Sequence, residues 1–387
     1  MRMHFPSAIS KNSGDLSMIL KNARVFQPNG TFVPQDIYVA GDRFALEGSG
    51  EIVDAAGCYA IPGLVDIHFH GCVGYDFCDG TPEALSAIAK YEASHGVAAI
   101  CPATMTYPES KLTEIAKNAA AYQTEEDGAE LVGINMEGPF ISEEKKGAQN
   151  AAFLHRPDAE MFRRIQKASG GLLKLVDLAP EVDGAMECIR ALHDEVRISI
   201  AHTCADYETA MAAFAAGAKH VTHLYNAMPP YSHRAPGVIG AAADAAETVE
   251  LICDGVHIHP AVVRATLHMF GADRVCFISD SMMATGLTDG EYSLGGQAVT
   301  VRGNLATLAN GTIAGSATCL LDCMRTAVKQ MGVPLGQAVR CAAVNPAKAI
   351  GIYDQYGSIA AGKIASFMLL DGDLHVKQIY LRGKALL

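Results

Sequence analysis

His68 and His70 are separated by one residue in the run LVDIHFH. On a strand, residues i and i+2 point to the same face, so two imidazoles here would face one side together. Taken alone, His-x-His is a weak signal for a metal. It gains weight from four further residues: Glu137 before Gly138-Pro139, His202, His223 and Asp280. Each stands at the C-terminal end of a short apolar run. Imidazole together with carboxylate suits zinc, iron, manganese or cobalt, and disfavours ions that demand oxygen ligands only. An aspartate beside such a set can act as general acid and base. Each residue also has a plain alternative. Glu137 could cap a turn, His202 and His223 could be satisfied core histidines, and Asp280 before Ser281 could cap a helix. Those alternatives work one residue at a time and do not explain why all recur at one structural depth. His4, His95, His155, His193, His220, His268 and His375 fall on helices, loops or mid-strand and are assigned to structure or surface.

The depth comes from the elements. Strand-like runs occur at 64–70, 97–104, 130–137, 172–180, 196–202, 219–223, 249–254 and 274–280. Amphipathic stretches such as PEALSAIAKYEASHG, PDAEMFRRIQKASG and DYETAMAAFAAG lie between most of them. Alternation of this kind calls for a parallel sheet, and eight units favour closure into a (β/α)₈ TIM-type barrel. Barrel enzymes carry their chemistry at the C-terminal ends of the strands. Two further helical stretches, 317–331 and 335–350, follow the eighth strand. Residues 290–313 read as a β-hairpin insertion at the barrel rim.

Residues 18–61 read instead as short strands broken by Asn29-Gly30 and Gly41-Asp42, and 352–387 behave alike. Two β-rich ends around a long middle predict one small β-sandwich domain built from both ends. The barrel would span 62–351. The first 17 residues look like a polar extension.

A chain of 387 residues accommodates such a plan, since a barrel alone takes roughly 250 residues. Its net charge of −12 argues against nucleic acid or an anionic membrane as partner. One arginine in a pocket can still hold a small anion. The 11 cysteines are scattered singly with no CxxC pair, as expected of reduced thiols in a cytoplasmic protein. The N-terminus has no apolar core of a secretory signal, and no apolar run is long enough to span a bilayer.

In order along the chain, PGLVDIHFHG, MEGPF, AHTCAD, THLYNAM, HRAPG, LICDGVHIHP and ISDSM resemble the N-acetylglucosamine-6-phosphate deacetylase family of the amidohydrolase superfamily. The resemblance runs from about residue 18 to the end, and THLYNAMPPYSHRAPGVIG is its most specific stretch. It implies a homodimer that removes acetate from a phosphorylated amino sugar with one or two divalent ions. Glu137, His202 and His223 would bind the first ion. His68 and His70 would bind a second, with Glu137 bridging. Asp280 would be the catalytic acid/base. Asn226, Ala227 and Arg234 would hold the phosphate, and His257 would reach substrate in the neighbouring subunit. Thr312, Ile313 and Ala314 would line the sugar pocket. Many members carry His in the loop after EGPF, where this chain has Gly147-Ala148-Gln149. Gln149 can still donate an N–H to the acetyl carbonyl. Ala235 in HRAPG and Cys204 after His202-Thr203 are lesser departures.

The N-acetylgalactosamine-6-phosphate deacetylases share the same metal site and are the near alternative. Other hydrolases of the superfamily often carry a carboxylated lysine at the end of strand four. Here that strand ends in Asp177-Leu178-Ala179-Pro180, which argues against them. A non-catalytic binding protein on the same fold is the distant alternative, and the retained ligand set speaks against it.

Overall fold

The structure is a computed structural model and describes residues 17–386. The expected polar extension lies outside the described residues except for Ser17, which begins a strand, Ser17–Lys21.

Eight parallel strands form the barrel: β1 Leu64–Asp66, β2 Val97–Ile100, β3 Ile134–Phe140, β4 Leu173–Leu178, β5 Arg197–Ile200, β6 His220–Val221, β7 Thr248–Ile252 and β8 Val275–Ile278. β3 to β8 pair in sequence order. β1 pairs with β2. A bridge from Ala103 to Asn135 joins β2 to β3. The Asp280 N–H donates to the His68 carbonyl at 2.9 Å and closes β8 onto β1. Almost every residue of these strands is buried, as expected for a sheet covered on both faces.

The helices between them are set by local chemistry. Asp158 caps Ala159–Ala168 by accepting from the Glu160 and Met161 N–H groups, and Met161, Phe162 and Ile165 turn inward. Thr81 and Asp206 cap Pro82–Ser94 and Tyr207–Ala216 in the same way.

Several boundaries differ from the sequence reading. The first strand, read as 64–70, ends at Asp66, and the second, read as 97–104, ends at Ile100. The third strand is split into Glu130–Leu131 and Ile134–Phe140, and it runs past Glu137 with its register shifting before Phe140. Gly138 permits this: its φ is +79°, and a Cβ there would collide with the Thr106 hydroxyl. The rim insertion is a three-stranded antiparallel sheet, Gly290–Leu294, Gln297–Arg302 and Leu305–Thr307, because the segment turns back twice. The last helical stretch is continuous but holds a π-helical turn at Arg340–Val344.

The two ends of the chain meet. Tyr59–Pro62 pairs antiparallel with Phe367–Leu370 inside a six-stranded sheet. A four-stranded sheet containing Ser17–Lys21 lies against it. Leu20, Val25, Ile37, Val39, Phe44, Phe367, Leu369 and Tyr380 fill the layer between them. The fold is therefore a (β/α)₈ barrel carrying a small β-sandwich from both ends of the chain. Tyr59–Pro62 is followed at once by Gly63 and β1, so the sandwich is anchored directly to the strand that leads into His68 and His70.

Candidate active site

All six residues singled out for metal and proton chemistry meet at one end of the barrel and are buried: His68, His70, Glu137, His202, His223 and Asp280. His68 and His70 lie just past the end of β1, and both imidazoles reach Glu137. His202, His223 and Asp280 each take a left-handed φ, +44°, +28° and +49°. Non-glycine residues in that region are strained and cluster at functional sites. The strain turns each side chain over the barrel mouth just as its strand ends.

Glu137 is the hub. Its Oε1 lies 3.0 Å from His202 Nε2 and 3.2 Å from His223 Nε2. The two imidazole nitrogens are 3.1 Å apart. His68 Nε2 is 3.6 Å from Glu137 Oε1, and His70 Nε2 is 3.4 Å from Glu137 Oε2. Asp280 Oδ1 stands 3.3 Å from His70 Nε2 and 3.8 Å from His68 Nε2. Two overlapping ligand groups result, His68/His70/Glu137 and Glu137/His202/His223.

The donor set fits a divalent metal. Ligand atoms at ~2.0–2.1 Å around a tetrahedral ion sit roughly 3.3 Å from one another, close to the observed spacings. His68 Nε2 is buried without any hydrogen-bond partner and is aimed at this cluster. His202 Nδ1 donates to the Lys145 carbonyl at 2.8 Å, which leaves the Nε2 lone pair free for an ion.

The electrostatics agree. Burial pushes the Glu137 carboxyl up, but His68, His202, His223 and His70 outweigh it and hold it well below the usual range. Burial likewise opposes ionisation of Asp280, yet the bond to His70 and the neighbouring imidazoles keep it low. Burial should discharge His68, but Glu250 and Glu137 hold it well above its ordinary value. Two carboxylates held ionised, Glu137 and Asp280, thus face the imidazoles in this buried cluster.

The sequence reading missed Glu250. It is fully buried on β7, where its charge pattern resembles an ordinary mid-strand residue. Burial raises its carboxyl, but His68 and His220 bring it down to about 2. Its Oε2 accepts from His68 Nδ1 at 2.9 Å and from the His223 N–H at 3.0 Å, and its Oε1 meets His220 Nε2 at 3.1 Å. His220, assigned to structure, belongs to this same network.

Five of the six, all but the fully buried His68, floor a cavity of about 540 Å³. Ala148, Gln149, Asn226, Ala227, His257, Thr312 and Ile313 line it, and Glu143 to Gly147 form part of its rim. Ala314 does not reach the cavity, because it is packed into the core beneath. Gln149 faces a different partner from the one expected. Its Nε2 donates to Glu137 Oε2 at 2.8 Å and its Oε1 accepts from the Thr106 N–H at 2.6 Å, so both ends of the amide are engaged inside the wall. Asn226 turns its N–H and Nδ2 onto the His223 carbonyl of its own turn. His257, expected to act in a neighbouring subunit, lines the cavity of its own chain and pairs with Asp254 at 2.7 Å. Arg234 is exposed on the loop after His223 and lines a separate depression with Cys204, Tyr207 and Pro236. Its chain does not fold it into the cavity.

An eight-stranded barrel with His-x-His just after its first strand and a shared carboxylate on its third defines a class of metal-dependent hydrolase. The chain belongs to the amidohydrolase family, whose profile matches residues 59–386. It is 39% identical over 341 residues to N-acetylglucosamine-6-phosphate deacetylase of Bacillus subtilis (strain 168), covering 87% of this chain and 86% of the relative. It is 35% identical to N-acetylgalactosamine-6-phosphate deacetylase of Escherichia coli O157:H7, covering 84% and 86%. Among solved structures, an N-acetyl-D-glucosamine-6-phosphate deacetylase from Mycobacterium smegmatis, an Asp-to-Ala mutant in complex with N-acetyl-D-glucosamine-6-phosphate, superposes with a TM-score of 0.89 at 31% identity. That match covers 96% of this chain and all of the other, 100%.

Proposed function

We propose that the chain hydrolyses the N-acetyl group of N-acetyl-D-glucosamine 6-phosphate to glucosamine 6-phosphate and acetate. The observation that carries this is the convergence of two ligand groups on Glu137 with Asp280 beside them, in a chain with deacetylase relatives along nearly its whole length. Glu137, His202 and His223 would hold a first divalent ion, and His68, His70 and Glu137 would hold a second. Zinc, iron, cobalt or manganese suits these ligands. Such an ion supplies a lowered pKa for water and polarises the acetyl carbonyl.

The chain's own residues supply the rest. Asp280 is ionised and accepts the proton of the attacking water. The water oxygen bonds to the acetyl carbon and the C–N bond breaks. Asp280 returns its proton to the leaving nitrogen, which departs as a neutral amine. Thr312 and Ile313 wall the sugar, and His257, with its ring fixed by Asp254, faces the substrate. The phosphate needs a cation. Arg234 makes no side-chain hydrogen bond or ion pair with the described residues and stands outside its own cavity. We assign it to the phosphate of a second copy's substrate in a homodimer. The fork of a guanidinium suits phosphate oxygens.

The 11 cysteines are all unpaired, which supports a reducing, cytoplasmic setting. No helix among the described residues is long and apolar enough to cross a membrane.

The test is acetate release from the gluco and galacto 6-phosphates by purified protein, with metal content measured on the same sample. Faster release from the gluco epimer supports the proposal. Preference for the galacto epimer keeps the chemistry and changes the substrate. No release from either at full metal occupancy overturns it.

A further inference from the structure

We infer that Glu250 is a positioning residue that makes His68 a ligand and so fixes whether the second metal position is filled. The inference rests on the two-ion reading above. It starts from how the four imidazoles of the cluster are held. His202 has its own anchor in the Lys145 carbonyl. His70 and His223 have no partner for Nδ1. His68 is the one whose ring is fixed by a charged group, through the 2.9 Å contact to Glu250 Oε2.

Two consequences follow. An acceptor on Nδ1 keeps the proton there and leaves the Nε2 lone pair facing Glu137 and Asp280. Without it, the ring is free to turn or to carry its proton on Nε2, which would block an ion. The first position is less exposed to this change, because His202 is oriented independently.

Glu250 itself is held from behind. His220 Nε2 contacts its Oε1 at 3.1 Å, and the Thr248 hydroxyl meets His220 Nδ1 at 2.6 Å. His220 lies in register with Ser199 on one side and Thr248 on the other, so it crosses the barrel interior under the cluster. The chain Thr248–His220–Glu250–His68 therefore runs from the barrel wall to the metal position. Its terminal carboxylate also grips the His223 main chain, tying the two ligand groups to one side chain.

Reach and charge can be separated. Glu250→Gln keeps an oxygen at the same distance for His68 Nδ1 and the His223 N–H, and its NH₂ can donate to His220. Glu250→Asp keeps the charge but withdraws it by one methylene. Metal-free protein would be titrated with Zn²⁺, and ions per chain counted after gel filtration, with thermal unfolding as a folding control. The parent is expected to bind two ions. Glu250→Gln should also bind two. Glu250→Asp should keep the first and bind the second ~10–100-fold more weakly, the scale seen when a ligand's outer partner is lost. Two ions of unchanged affinity in Glu250→Asp would overturn the inference. So would loss of the second ion in Glu250→Gln alone, since charge rather than reach would then decide. A parent that binds fewer than two ions would overturn the two-ion reading itself.

Discussion

The Nε2 atoms of His202 and His223 approach to 3.1 Å above one oxygen of Glu137. Two acceptor lone pairs do not attract each other, and protonating either ring places a proton where an ion belongs. The geometry is one that a cation relieves. Removing metal with a chelator should therefore abolish acetate release and lower the unfolding temperature, and added Zn²⁺ should restore both. At an ion concentration ~1,000 times its Kd the stabilisation is about 4 kcal/mol. An unfolding temperature unmoved by chelation would contradict the assignment.

Asp280 stands beside His70 and His68 at the cavity floor yet belongs to neither ligand group. Asp280→Asn should lower kcat by ~10²–10⁴, the usual worth of a positioned acid/base. Zn²⁺ content should stay at the parent's level. Near-normal turnover in this variant would remove Asp280 from the mechanism.

Arg234 offers a test in mixed dimers. Arg234→Ala alone should raise KM for the 6-phosphate by ~10–100-fold, from loss of a charged hydrogen bond, and should leave an unphosphorylated analogue nearly unaffected. Mixing it with Asp280→Asn should regenerate one intact site per mixed dimer, because one copy supplies Asp280 and the other Arg234. If Arg234 acts within its own chain, mixing recovers nothing.

Gln149 braces Glu137 against the Thr106 main chain. Gln149→Leu removes one partner of a buried carboxylate oxygen, leaving it only the 3.4 Å contact to His70, and leaves the Thr106 N–H unpaired. Metal-free protein should lose about 1–3 kcal/mol in a denaturant titration. No change in midpoint would argue that the amide contributes only to substrate binding.

Glu92 is a buried acid away from the ligands. It sits on Pro82–Ser94 with neither carboxylate oxygen hydrogen-bonded. Burial, then the charge of Asp66, raises its carboxyl well above the ordinary value. The raised group holds its proton in the fold and loses it in the unfolded chain above pH ~4.5. Its cost to stability is therefore absent below that pH and grows as pH rises. Glu92→Leu should stabilise chelator-treated protein more at pH 8 than at pH 5, by about 1–3 kcal/mol at the higher pH. A gain that does not vary with pH would show that packing alone is responsible.

Much of this site is legible in the sequence because each ligand lies in or just after an apolar, strand-like run. The His-x-His spacing marks His68 and His70 as a pair, though the structure ends β1 before them, and apolar runs locate Glu137, His202, His223 and Asp280 at the barrel mouth. Those patterns are local, and local sequence encodes them. The turns they require are less visible: nothing in the letters of His202, His223 or Asp280 announces a left-handed backbone, which the closing of the barrel imposes.

What only the tertiary structure decided depends on residues far apart in the chain. Glu250 reads as one polar residue in VELIC until the barrel brings it against His68, 182 positions earlier. Gln149 looks free to meet substrate until Thr106 and Glu137 take both ends of its amide. Arg234 and His257 have the residue types for anion and substrate contact, but the fold puts His257 in its own cavity and leaves Arg234 outside it. Residue type and period determine which side chains can do the chemistry. Partners across the barrel determine which atoms of those side chains are free to do it.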